Sequence, residues 1–145
     1  MLGLKAVLDA SATLPDVRRD PVFTDIFDEL SVGADTCGRV LAMRAGDAVD
    51  TVRRFGEGPD AFELVRNADI EWFVAGAEGP DLNQAFDEGV SAIFDAIDDD
   101  HELGGAVVRA EIVDQPELGT DVAGARAVLT AVLRVQLTYT SPRPY

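Results

Sequence analysis

This chain is poor in the residues that carry most enzyme chemistry. It holds one histidine, one cysteine, one tryptophan and two tyrosines among 145 residues. A lone Cys37 excludes an internal disulfide, and the expected compartment at synthesis is a reducing cytoplasm. Positive charge is scarce as well: 12 Lys and Arg stand against 27 Asp and Glu, a formal net charge of −15. Such a surface repels nucleic acid and anionic membrane at long range. No apolar run reaches membrane-spanning length. Met1-Leu2-Gly3-Leu4 is too briefly apolar, before Lys5 and Asp9, to read as a secretory leader.

The catalytic candidates are correspondingly few. His101 lies between Asp100 and Glu102 in a helix-ending segment and reads as a solvent-facing cap residue; no motif ties it to Cys37. The run Asp98-Asp99-Asp100 is followed by His101, Leu103 and Gly104-Gly105, where a calcium loop needs alternating oxygen ligands, a central Gly and a closing Glu. Glu63, Asp69 and Glu71 offer carboxylate pairs, but in so acidic a chain such pairs arise by chance. Gly56-Glu57-Gly58 and Gly104-Gly105 lack phosphate-loop spacing. We therefore expect no catalytic residue, no metal site and no cofactor.

What is present is a 47% apolar chain, enough for one core and too apolar for a disordered acidic tail. A single domain, 1–145, is expected. Leu4, Val7 and Leu8 share a face of a short helix within residues 2–12, ended by Pro15. Residues 17–20 read as a brief strand. Residues 22–31 place Val22, Phe23, Ile26, Phe27 and Leu30 at roughly helical spacing, and 33–38 form a turn region. Residues 39–45 are expected to be one strand, Gly46-Asp47 its turn, and 48–55 a second strand in a hairpin with the first. Gly56 to Asp60 break the chain.

Residues 61–76 (AFELVRNADIEWFVAG) alternate. Phe62, Leu64, Ala68, Ile70, Trp72 and Val74 share one parity with Arg66; Glu63, Asn67, Asp69 and Glu71 take the other with Val65 and Phe73. This is a half-buried antiparallel strand with Trp72 in the core. Next comes an amphipathic helix capped by Asp81, with Gln84 in capping-box position. Leu82, Ala85, Phe86, Gly89, Val90, Ile93, Phe94 and Ile97 form its apolar stripe, and Asp87, Glu88, Asp95 and Asp98 its acidic one. The stripe needs a sheet to cover, and Gly89 within it implies close approach. Residues 106–113 read as a strand, 114–124 as a loop, and 126–139 as a long final strand. Residues 140–145 read as an extended tail. The fold class expected is α+β: an antiparallel or mixed sheet packed by one long helix and shorter N-terminal helical segments.

The order NADIEWFVAG strand, LNQAFDEGVSAIFDAI helix, Asp100 to Gly105 junction, strand, loop and late strand VQLTYTSPRP resembles a known group. It is similar to the tail terminator, or tail completion, proteins of long-tailed bacteriophages and gene transfer particles. The resemblance spans 39 to 145 and is best over 69–140; segment 1–38 departs from the family's longer first helix. It implies a structural virion protein made in the host cytoplasm. Subunits would form a hexameric ring on the tail tube protein, stop its polymerisation, and join the tail to the head connector. DNA would pass through the lumen without specific binding.

A closed ring needs two different, complementary surfaces on each subunit. Val65 and Phe73, apolar on a polar face, are candidates for a subunit interface. So is a basic group of Arg44, Arg53, Arg54 and Arg66, facing the acidic helix of a neighbour; ordinary pairing within the subunit is the competing role for these arginines. On this reading Phe73→Ser weakens association more than folding. Two other classes fit the composition: a different head–tail joining or tube subunit, and a small acidic module that binds a basic partner.

Overall fold

The computed structural model describes residues 2–21, 38–53, 62–123 and 126–143. In chain order the elements are α1 (Leu2–Asp9), β1 (Val17–Arg19), β2 (Gly38–Arg53), β3 (Phe62–Gly76), α2 (Pro80–Asp99), β4 (Arg109–Ile112), β5 (Glu117–Ala123) and β6 (Arg126–Ser141). The strands form one mixed six-stranded sheet in the order β1-β2-β3-β6-β4, with β5 also on β6. β1 runs parallel to β2, and every other pairing is antiparallel. The chain is α+β, with strands dominating. The expected helical spacing at 22–31, the turn expected at 33–38 up to and including Cys37, the break at 56–60 and the end of the tail at 144–145 lie outside the described residues; Gly38 already opens β2.

Three local expectations are corrected. In place of the hairpin expected within 39–55, Gly38–Arg53 is one continuous strand. β2 pairs with β3 along its whole length, from Gly38↔Ala75 to Arg53↔Phe62, with register irregularities between Ala45 and Asp50. Gly46 and Asp47 look like a turn in sequence, yet here they mark a bulge, where extra residues are absorbed without reversing the chain. Second, the expected loop at 114–124 contains β5, which pairs with β6 from Glu117↔Val132 to Ala123↔Arg126. Residues 117–121 are exposed, so no apolar alternation announces the strand.

The third correction concerns the cap of α2. The helix begins at Pro80, after Gly79 at φ 153°, and no side chain caps it. Asp81 lies inside the first turn, where its charge favours the positive end of the helix dipole. Gln84 donates to Glu88 at 2.8 Å rather than back to the cap.

Both faces of the sheet are specified by β3. Ala68, Ile70, Trp72 and Val74 face the helices and join Leu4 and Leu8 of α1, Leu82, Ile93 and Ile97 of α2, and Leu133 and Val135 of β6 in the main core. Trp72 is fully buried, and its Nε1 donates to the Phe86 carbonyl at 3.2 Å. The indole therefore keeps its polar atom satisfied inside an apolar layer. The acidic stripe of α2 points outward: Asp87, Glu88, Asp95 and Asp98 are exposed. On the other side of the sheet, Val40, Ala42, Phe73, Ala75 and Val128 make a second, smaller buried cluster.

After α2 the chain turns through Leu103 at φ 50° and Gly104 and Gly105 at φ 69° and 86°. Glycine tolerates this left-handed backbone. Leu103 does not prefer it, but its side chain is buried in the core. The Asp100 carboxylate accepts from Gly104 N–H at 2.9 Å. No helix among the described residues is long and apolar enough to cross a membrane.

Candidate assembly surfaces

The residues singled out in sequence fall on both faces of the sheet. Cross-strand partners share a face, so Arg44, opposite Asp69, lies on the face away from the helices. Arg66, opposite Ala48 and Leu137, and Arg53, opposite Phe62, lie on the helix side. The arginines therefore do not form one basic patch, which corrects the expectation of a cluster. Arg54 lies outside the described residues.

Arg44 is engaged within the subunit. Its Nε donates to both Glu71 carboxylate oxygens at 3.0 and 3.1 Å, and its Nη2 donates to the Pro21 carbonyl at 3.0 Å. One row of three strands reads Arg44, Asp69, Arg134 across the sheet. Arg134 Nε donates to Asp69 Oδ1 at 3.0 Å. The hydrogen bond and charge of Asp69 hold the Arg134 guanidinium above its ordinary value. Asp69 and Glu71 are thus members of an ion-pair ladder.

Val65 and Phe73 share the face of this ladder but sit eight positions apart, about 26 Å at the rise of an extended strand. Val65 is half-buried. Phe73 is only 7% exposed, enclosed in the second cluster. The expectation of an apolar side chain offered to solvent is corrected for Phe73: it is buried, and its neighbours Val40 and Ala42, on the preceding strand, are apolar and buried with it.

The apolar side chains that do face solvent were not singled out in sequence. Leu118 is 68% exposed on β5, and Val49 and Val52 are about half exposed on the distal half of β2. β5 pairs on one side only, with β6. β1 covers β2 only from Leu41 to Met43, so residues 45–53 have no strand on their outer side among the described residues. Two sheet edges at opposite ends of the strand order thus present backbone hydrogen-bonding groups with apolar side chains beside them. Such edges are templates for strand addition. The signal for them was present only as pattern-breaking valines in β2; nothing marked Leu118.

His101 is exposed, and its carbonyl accepts from Ala110 N–H. Among the described residues no group of three or more His, Cys, Asp and Glu is placed to hold a metal ion. No protein-family model and no curated protein matches this chain.

Proposed function

We propose that this protein is a structural subunit of a phage-like particle, a tail terminator. In this role it closes into a ring on the end of the tail tube, stops tube polymerisation and meets the head connector. The observation that carries the reading is the relation of β3, α2 and β6. All of β3, the NADIEWFVAG strand, pairs with β6, the VQLTYTS strand, and the intervening α2 lies across them. This is the ordered pattern on which the resemblance rests.

Two further features support assembly. The edges of β5 and distal β2 are different surfaces on one subunit, as a closed ring requires. The outward acidic face of α2 and a net charge of −15 suit a ring through which DNA slides without phosphate binding.

The test is native mass spectrometry of the purified protein across concentration, with negative-stain images of the same sample. A discrete closed ring near six subunits, without longer cylinders, is the expected result. Long cylinders would assign the protein to the tube instead. A strict monomer that also fails to assemble on tail tubes would overturn the reading.

A further inference from the structure

A cavity of about 290 Å³ lies on the helix side of the sheet, where α1, the bulge of β2, β3, the turn after α2 and β6 meet. Leu4, Leu103, Val107 and Leu137 give it apolar walls, and Tyr139 and Arg66 contribute polar atoms. The walls are tightly closed at two glycines. A Cβ at Gly3 would stand 2.7 Å from Ala106 Cβ, and one at Gly46 2.8 Å from the Asn67 carbonyl. The cavity is thus a partly open concavity formed by five chain segments, at the small end of the range for ligand sites.

Arg66 is the anomaly in it. Its Nε is buried without a hydrogen-bond partner, one of two such side-chain atoms among the described residues, with Asn67 Oδ1. Carboxylates are not scarce, since acids outnumber bases 27 to 12. Lys5, Arg44, Arg109 and Arg134 each have a carboxylate partner, but Arg66 pairs with none among the described residues. A buried donor left unmade is costly, and more so on a charged group. Nε itself has almost no accessible surface, so the cavity meets Arg66 through the rest of its side chain, whose charge has no carboxylate partner among the described residues. A small anion with a short alkyl body fits these walls: its carboxylate pairs with the guanidinium, and its methylenes cover the leucines.

We propose that this cavity is a binding site for a small aliphatic carboxylate, with Arg66 as the anion-binding residue. Its small volume, walled by five segments of one subunit, favours a free small molecule over the side chain of a neighbouring copy, and the proposal is independent of ring formation.

The test is an NMR titration of the full chain with hexanoate, acetate and hexanol. Hexanoate is expected to bind at millimolar concentration and shift the Gly3, Gly46 and Val107 amides. Acetate and hexanol should each bind at least about tenfold more weakly, the first lacking the alkyl body and the second the charge. Arg66→Gln should weaken hexanoate binding at least about tenfold, and Arg66→Lys less, with the near-ultraviolet signal of Trp72 checking that both variants fold. The proposal falls if hexanoate causes no shift, if hexanol binds as well as hexanoate, or if Arg66→Gln binds unchanged. It also falls if the same amides shift on dilution of the protein alone and hexanoate leaves them still; the occupant is then a second copy.

Discussion

Gly89 of α2 sits directly against the indole of Trp72 on β3. A Cβ at residue 89 would stand 2.6 Å from Trp72 Nε1 and nearer still to two ring carbons. The helix thereby forgoes about 1 kcal/mol of intrinsic propensity relative to alanine, and in return lies close enough to the sheet for Trp72 Nε1 to reach the Phe86 carbonyl.

Gly89→Ala is therefore expected to destabilise the protein by about 1–3 kcal/mol, although alanine is the better helix former. Urea denaturation followed by Trp72 fluorescence checks this. A neutral or stabilised variant would mean that the helix can back away freely. Trp72→Ala, which empties the same contact from the other side, should cost about 3–5 kcal/mol.

Phe73→Ser is expected to act on folding. The side chain is enclosed by Val40, Ala42, Ala75 and Val128, so the substitution opens a cavity and places a hydroxyl among apolar groups, a loss of about 3 kcal/mol or more. The loss should be independent of protein concentration in thermal melts. A normal melting temperature with weakened association would restore the interface role drawn from sequence.

Leu118→Asp tests the edge of β5. With 68% of Leu118 exposed, the monomer should change by no more than about 0.5 kcal/mol, while self-association should fall sharply because a charge now stands on a pairing edge. Sedimentation velocity reads the second effect and chemical denaturation the first. Unchanged association would remove this edge from the assembly.

Asp9 supplies a pH dependence. It pairs with Lys5, and its Oδ1 accepts from Val17 N–H at 2.7 Å, tying α1 to β1. The Lys5 hydrogen bond, followed by that from Val17, holds its pKa below the ordinary carboxylate value. A depressed folded-state pKa contributes stability that is complete above the unfolded pKa, near 3.8, and is lost as pH falls through the folded value. Asp9→Asn should therefore cost about 1 kcal/mol near neutral pH, and the difference from wild type should shrink in acid. A gap that stays constant down to pH values below the carboxylate range would show that the charge is irrelevant.

Sequence pattern revealed the elements whose two sides differ in environment. Trp72, Ile70 and Ala68 alternate because β3 carries helices on one face and the ladder of Asp69 and Glu71 on the other. The stripe of α2 showed for the same reason, and Gly89 within it foretold the close approach. Where both sides meet water the signal vanishes: β5 and distal β2 are strands by backbone pairing alone, and their sequences read as a loop and as a hairpin. The candidate site was less legible. Alternation put Arg66 on the face of Trp72, but Arg44 and Arg66 look like one basic group until register assigns them to opposite faces. Nothing local tells that Arg66 borders a cavity formed by five distant segments.

The position of β6 has a consequence for how the chain is made. Residues 126–141 lie between β3 on one side and β4 and β5 on the other. Until that segment leaves the ribosome, the whole of β3 presents a bare edge, and Trp72 and Ile70 lack the Ala131 and Leu133 side chains that pack beside them. Native pairing of β3 is thus held back until residues 126–141 have been made, and its contacts span long stretches of chain, which slows closure of the sheet. Nascent chains stalled before residue 126 should be the form most prone to aggregate and most in need of a chaperone.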